Sequence, residues 1–199
     1  AHSIAIDAAG NVWANGHFKA NPGQVVRIEP QDGAIQAFDI PDNNTSNLTG
    51  RPISYDLRVD ANDVVWGSDL NWNRIYKLEP QTGEVIHYEL PDSTSGPRRF
   101  DFDADGNLWI PEFSGGRLAM FNPDNETFTE WTPPTKNAEP YVVKVDKQRN
   151  RVWIGYAAAN RVARFDPATE TFIEYPLPTP FALIRHLAVD EATGDVWFS

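Results

Sequence analysis

The sequence predicts an all-β fold, a β-propeller built from four-stranded blades, and three repeated phrases support that prediction. In the first phrase a Trp follows a turn, as in GNVW, GNLW and GDVW. This Trp lies at positions 13, 66, 109, 153 and 197, so the steps are 53, 43, 44 and 44 residues. Units of about 40 to 45 residues with four strands each are typical of propeller blades.

Two further phrases complete each unit. One ends in Pro and reads QVVRIEP, NRIYKLEP, GRLAMFNP and NRVARFDP; the other reads AFDIP, HYELP, EWTPP and EYPLP. Segments rich in Val, Ile, Phe, Tyr and Trp between turn residues predict short strands. We therefore divide a single partial propeller domain, 1–199, into blades at about 1–48, 49–95, 96–138 and 139–182, and an incomplete fifth at 183–199. The long first step falls in the polar stretch DNNTSNLTGRP, predicted as a loop between blades.

The repeated Trp and an Asp before it have predicted structural roles. The Trp side chains are expected to fill the wedge between adjacent blades, with a carbohydrate-stacking platform as the alternative. The Asp lies six or seven residues upstream, at positions 7, 60, 103, 146 and 190. These Asp residues lack the D-x-D-x-D ligand density of a calcium loop. We expect them to stabilise turns through Asx-type hydrogen bonds.

Four blades and part of a fifth, about 4.5 blades, do not close a propeller. Because an open ring leaves two blade faces bare, we expect further blades in a longer protein. The alternative is that the partial ring closes by self-association.

Composition excludes several classes of function. The chain has 17 basic and 28 acidic residues, a net charge of −11, which argues against nucleic-acid binding. It has no Cys, so disulfides and thiol catalysis are excluded. No apolar stretch approaches the roughly 20 residues of a membrane span, so no membrane insertion is predicted. The lack of Cys suits an exported protein, and an extracellular or periplasmic location is expected.

A first set of candidate site residues lies five positions before each repeated Asp. The residues there are His2, Tyr55, Arg98, Tyr141 and Arg185, all large and polar or aromatic. The first strand of each blade lines the channel of a propeller, so these side chains are expected to form a ring at the channel mouth. A ring of this kind predicts a binding site for a small-molecule ligand or a protein partner.

A second set lies three positions after the repeated Trp, at Gly16, Asp69, Glu112 and Tyr156. Glu112 shares a blade with Arg98, and the strand hairpin is expected to bring them together. A carboxylate beside a guanidinium stays ionised and can anchor a ligand or a metal ion. The alternative is a plain ion pair at the channel rim. His87, in VIHYELP on an outer strand, is predicted to be a surface residue.

The phrases HSIAIDAAGNVW, GNLWIPEFSGGRLAMFNP and AEPYVVKVDKQRNRVWIGYAAANRVARFDP resemble the repeats of the streptogramin (virginiamycin B) lyase family. The resemblance spans the whole chain and implies a seven-bladed propeller. The repeats are also similar to NHL repeats. Lyases of this family open a cyclic depsipeptide by magnesium-assisted elimination, with a channel His as the base and His and Glu residues around the metal.

The resemblance implies site residues, and the chain departs from the pattern. His2 corresponds to the catalytic His, and Glu112, in WIPE, corresponds to the catalytic and metal-binding Glu, with Mg²⁺ as the implied cofactor. Tyr141, in AEPY, stands where the family would have a His, and Tyr156, in WIGY, stands where it would have the Glu. No blade of this chain carries both residues.

Two functions therefore stay open. The first is a propeller that binds a ligand or partner through Tyr55, Arg98, Tyr141, Arg185, Asp69 and Tyr156. The alternative is a metal-dependent enzyme, a C–O lyase or a lactonase-like hydrolase, acting on a small cyclic or ester-containing molecule.

Overall fold

The structure is a computed structural model that describes residues 2–16, 23–41 and 53–199. The predicted inter-blade loop at 42–52 and Ala1 lie outside the described residues. In the described part of the chain, no helix is long and apolar enough to cross a lipid bilayer.

The described strands form four sheets of four antiparallel strands each and one two-stranded sheet, in which every strand pairs with its neighbour in sequence. This confirms the predicted all-β fold of four-stranded blades. Blade one comprises β1 Ile4–Ile6, β2 Val12–Asn15, β3 Gly23–Ile28 and β4 Ile35–Ile40; blade two comprises β5 Ser54–Val59, β6 Val65–Asp69, β7 Arg74–Leu78 and β8 Val85–Glu89. Blade three comprises β9 Asp101–Phe102, β10 Leu108–Glu112, β11 Arg117–Asn122 and β12 Thr127–Trp131; blade four comprises β13 Pro140–Asp146, β14 Arg151–Tyr156, β15 Arg161–Asp166 and β16 Thr171–Pro176. Blade five contains β17 Leu187–Val189 and β18 Val196–Phe198.

The chain divides into two compact units, Ala1–Pro97 and Arg98–Ser199. In the first unit, Trp13 of blade one is buried in one cluster with Leu57 and Tyr76 of blade two. In the second, Trp109 of blade three is buried with Val143 and Phe165 of blade four. The two Trp side chains therefore pack between successive blades, as predicted for the repeated phrase.

The repeated Trp residues do not all share this environment. Trp66 is also buried, at 2% exposure, whereas Trp153 is half-buried and Trp197 is 69% exposed. Packing between successive blades is therefore shown for Trp13 and Trp109.

The repeated Asp organises the turn between the first two strands of a blade. The indole Nε1 donates to Asp Oδ2 at 2.9 Å in the pairs Trp13–Asp7, Trp66–Asp60 and Trp109–Asp103. The other carboxylate oxygen accepts a backbone N–H four residues on, from Asn11, Val64 and Asn107 respectively. These contacts confirm the predicted Asx-type turns.

His87 was predicted to lie on the surface, but its side chain is half-buried in the structure. It lies in β8 and is half-buried, and its ring is 6.3 Å from that of Tyr76. Burial, with a smaller effect of the Arg74 charge, lowers the pKa of His87 to about 4. The imidazole is therefore neutral at pH 7 and belongs to the interior of blade two.

Candidate ligand-binding site

Three predicted site residues of the second unit lie together. The guanidinium carbon of Arg98 is 4.6 Å from the centroid of the Tyr141 ring, and that of Arg185 is 5.8 Å from the same centroid. We call Arg98, Tyr141 and Arg185 the Arg–Tyr row. Both distances are within the range of cation–π attraction, so one aromatic ring from blade four is flanked by a cation from each neighbouring blade.

A fourth side chain supports the Arg–Tyr row. Arg98 lies with its guanidinium carbon 3.6 Å from the centroid of Phe113, and the Phe113 and Tyr141 rings meet edge to face at 5.9 Å. Tyr141 is buried, whereas Arg185 is exposed. The row thus combines a packed aromatic base with a positive charge that faces solvent.

The two predicted residues of the first unit are also in contact. The His2 and Tyr55 rings are 4.3 Å apart, and His2 Nδ1 is 2.7 Å from the Tyr55 carbonyl oxygen. A carbonyl can only accept, so Nδ1 carries the proton and Nε2 carries the lone pair. The side-chain oxygen of Asn15 accepts the backbone N–H groups of His2 and Ser3 and positions this segment.

The second predicted set occupies the interior of the blades. Asp69, Glu112 and Tyr156 are at most 1% exposed. Asp69 pairs with Arg74 at 3.2 Å, Glu112 pairs with Arg117 at 2.8 Å, and the Tyr156 hydroxyl donates to Glu174 at 3.1 Å. Each side chain is thus bound to a later strand of its own sheet. Their predicted roles as ligand contacts stay predictions.

Glu112 pairs with Arg117 rather than with Arg98, because the strand register places Arg117 directly opposite it. The Arg117 guanidinium also lies 3.4 Å from Glu130 of β12. Burial, followed by the neighbouring Glu130 carboxylate, raises the pKa of Glu112 to about 7, and Arg117 opposes this only in part. The expectation that Glu112 is kept fully ionised by a guanidinium is therefore wrong.

The same arrangement bears on the magnesium ion implied by the resemblance. One carboxylate oxygen of Glu112, Oε2, accepts from the Arg117 guanidinium at 2.8 Å, so a cation already lies beside this carboxylate. Among the described residues, no group of three or more His, Asp and Glu side chains is placed to hold a metal ion. The residues around Glu112 in this arrangement therefore do not fit Mg²⁺, and magnesium binding stays a prediction.

The structure also contains a groove that the sequence reasoning missed. It has a volume of about 560 Å³ and lies between the β10–β11 turn and the connection from blade three to blade four. Its lining residues are Phe113, Ser114, Gly115, Gly116, Thr132, Pro133, Thr135, Lys136, Asn137 and Glu139. We call it the blade-three groove. The sequence feature that could have predicted this groove is the Gly-Gly pair in FSGGR. The equivalent stretches of blades two and four are LNWNR and AAANR.

Comparisons with known proteins agree with this architecture. The family model described as the virginiamycin B lyase family matches residues 1–199. The structure of selenomethionine-substituted virginiamycin B lyase from Staphylococcus aureus is 22% identical and superposes with a TM-score of 0.84. A streptogramin B lyase structure is 26% identical, with a TM-score of 0.85. No curated protein sequence matches significantly.

One similar structure contains a ligand. It is described as the catalytically inactive H270A virginiamycin B lyase from Staphylococcus aureus with quinupristin, and it is 23% identical with a TM-score of 0.85. The superposition covers 99% of this chain and 62% of that lyase chain. The corresponding shares are 99% and 62% for the selenomethionine-substituted lyase and 99% and 61% for the streptogramin B lyase. This chain thus spans less than two thirds of the lyases that it resembles.

Proposed function

Because this chain belongs to the virginiamycin B lyase family, we propose that it is a ligand-binding β-propeller that takes a cyclic depsipeptide at the Arg–Tyr row. The observation that carries the proposal is the row itself, in which Tyr141 lies between the guanidinium groups of Arg98 and Arg185. A related lyase structure holds quinupristin, which supports the choice of ligand class.

The chemistry of the row suits such a ligand. Arg side chains offer several N–H donors in a fixed plane and accept nothing, so they suit the amide and ester carbonyl groups of a depsipeptide. The Phe113 and Tyr141 rings hold Arg98 and limit the entropy lost when it binds. Tyr and Arg are also the residue types that most often dominate binding energy.

The proposal is tested by titrating quinupristin into the 199-residue chain by calorimetry. We expect Arg185→Ala to weaken binding about tenfold, since truncating an important interface residue costs more than about 1 kcal/mol. Arg185 is exposed, so this variant should keep its melting temperature. Arg98→Ala should weaken binding at least as much, but it also removes packing against Phe113.

The matched control is Arg151→Ala. Arg151 pairs with Asp166 at 3.1 Å in the same unit, at the other end of its blade from the row. The Arg151→Ala variant should bind quinupristin with the affinity of the unmodified chain. Failure of the unmodified chain to bind, or equal affinities in the Arg185 and Arg151 variants, would overturn the proposal.

An enzyme is the second candidate, and the tautomer of His2 favours it. With Nδ1 donating to the Tyr55 carbonyl, Nε2 is the nitrogen that can accept a proton, as a general base requires. Mg²⁺, when bound in a family lyase, supplies Lewis-acid stabilisation of developing negative charge. Glu112 contributes little to this reading, because it is buried and paired with Arg117.

Chromatography with mass spectrometry of quinupristin incubated with the chain tests this candidate. Elimination breaks the ester C–O bond, forms a carbon–carbon double bond and leaves the mass unchanged, whereas hydrolysis adds one water. We expect any product to disappear in His2→Ala. No product from the unmodified chain, with and without magnesium, would reject the enzyme reading for this chain.

A further inference from the structure

The residue just before the third strand is a Gly in blade three and an Asn in blades two and four. In blades two, three and four these residues are Asn73, Gly116 and Asn160, with φ of 53°, 69° and 52°. All three adopt the left-handed conformation, which Asn and Gly tolerate best. The Asn residues carry a side chain at this position, and blade three does not.

The two Asn side chains clamp the connection to the following blade. Asn160 Nδ2 donates to the Leu177 carbonyl at 3.2 Å, and its oxygen accepts the Ala182 N–H at 2.9 Å. Asn73 likewise donates to the Leu90 carbonyl and accepts the Gly96 N–H at 3.0 Å. We call this pair of contacts the Asn clamp.

Gly116 leaves blade three without an Asn clamp, and its connection is held from the other side. Thr135 donates its N–H and its hydroxyl to Glu174 at 3.1 and 2.6 Å, and the Glu139 carbonyl accepts the Ala157 N–H at 2.9 Å. Both partners belong to blade four. The blade-three groove opens between this connection and the unclamped turn of its own blade.

The connection also contains backbone strain beside the groove. Asn137 and Glu139 have φ of 54° and 52°, on either side of Ala138, which is 1% exposed. A Glu in this conformation is uncommon, and backbone strain of this kind clusters at ligand sites. Ala138 anchors the connection while the two flanking residues line the groove.

The lining indicates what the groove would bind. Phe113 forms one wall and also supports Arg98, so the groove adjoins the Arg–Tyr row. One cation and one anion, Lys136 and Glu139, line it together with hydroxyl groups. The opposite charges favour a neutral ligand, and the volume lies within the range of about 300–1,000 Å³ typical of small-molecule pockets.

Blade four has a groove at the equivalent place, about 490 Å³ in volume, but with a different wall. Its turn contributes Ala157, Ala158 and Ala159 where blade three has Phe113, Ser114 and Gly115, and its one aromatic ring, Phe181, lies on the connection instead. The aromatic residue on the turn, Phe113, which also contacts Arg98 of the Arg–Tyr row, therefore distinguishes the blade-three groove.

We propose that the blade-three groove is a subsite for an uncharged aromatic side chain of a peptide-like ligand, which stacks against Phe113 beside the Arg–Tyr row. The further step, that this aromatic group belongs to a cyclic depsipeptide held by the row, rests on the proposed function. Aromatic pairs attract each other beyond the effect of the area that they bury, so the groove should select an aryl over an alkyl group.

Gly116→Asn is the test variant, because it adds to the lining next to Phe113 a side chain of the kind that bonds the connection in blades two and four. A Cβ added at Gly116 meets nothing within 4 Å, and Asn occupies this conformation in the two other blades. Gly106→Asn is the matched control. Gly106 has φ of 86° and equally open surroundings, and it lies in the turn before β10 at the other end of the blade.

The first measurement uses N-acetylphenylalaninamide and N-acetylalaninamide as probes, followed by amide NMR shifts of the chain. We expect the aromatic probe to shift Gly115, Gly116 and Thr135, the alanine probe to leave them unchanged, and Gly116→Asn to abolish the response. No shift with the aromatic probe, or equal shifts in Gly116→Asn and Gly106→Asn, would overturn the subsite.

The second measurement uses quinupristin and separates the two proposals. Gly116→Asn should weaken its binding at least fivefold while Gly106→Asn leaves it unchanged. Unchanged binding in both variants refutes the shared site but leaves the Arg–Tyr row standing. Shifts from the aromatic probe without quinupristin binding refute the proposed function and support the groove as an aryl site.

Discussion

Blades three and four have the same strand pattern but close their first turn differently. In blade three, Trp109 lies six positions after Asp103, and the indole N–H donates to the carboxylate at 2.9 Å. In blade four, Trp153 lies seven positions after Asp146, and Asp146 accepts from Arg149 instead. The buried Trp153 Nε1 has no hydrogen-bond partner among the described residues. With one more residue in the turn, the Asp carboxylate therefore accepts hydrogen bonds from an Arg instead of from the indole.

The interiors of the two blades also differ at the third position after the Trp. Blade three has Glu112 with Arg117 and Glu130, whereas blade four has a Tyr156 hydroxyl that donates to Glu174. Burial raises the pKa of Tyr156, so its hydroxyl stays protonated. Blade three thus has a buried carboxyl group beside the half-buried Arg117 and Glu130, and blade four has a neutral donor at the same place.

The largest effect is expected from removing the shared cation of blade three. Arg117→Ala removes the cation beside Glu112, and the carboxyl can then bind a proton instead of staying charged, so a loss of about 1–3 kcal/mol is expected. Chemical denaturation of the chain measures this loss. Arg161→Ala, at the corresponding first position of β15, should cost less than about 1 kcal/mol, because Tyr156 carries no charge. Equal losses in the two variants would contradict the difference between the blades.

A pH dependence should also distinguish blade three. The pKa of Glu112 is raised from 4.5 to about 7, so the folded chain binds a proton more tightly than the unfolded chain. The resulting contribution is fully present below about pH 4.5 and is lost as the pH rises through 7. We expect Glu112→Gln to flatten the stability profile over this range. A profile unchanged by the substitution would show that another group titrates there.

A smaller effect is expected at the two turns. Trp109→Phe should cost about 1 kcal/mol more than Trp153→Phe, since only Trp109 loses a hydrogen bond along with part of its ring. Thermal melting of the two variants measures the difference. A larger loss in Trp153→Phe would mean that the turn hydrogen bond contributes little.

The smallest effect is expected at the Asn clamp. Asn160→Gly keeps the left-handed backbone but removes two hydrogen bonds to the connection, so a loss of about 1 kcal/mol is expected. Hydrogen exchange at the Ala182 amide, which donates to Asn160, should accelerate with it. Exchange unchanged in the variant would show that the clamp does not hold this connection.

The strands, their order and the family could be predicted from the amino-acid sequence alone, because the period of about 44 residues and the turn signals are local properties of the chain. It also identified the residues of the Arg–Tyr row. Equivalent positions of successive blades become neighbours in any propeller, so an offset from the repeated Asp was sufficient.

The partners of the second set and the groove follow from contacts between strands and blades. Glu112 meets Arg117 because of the register between β10 and β11, and its pKa follows from burial and then from Glu130 on a third strand. The groove lies beside a connection that Glu174 of the next blade holds through Thr135. Contacts across strands and blades join positions that are far apart in the sequence. A change of one residue in strand register or turn length gives a side chain a different contact partner, although the repeated sequence phrases stay the same.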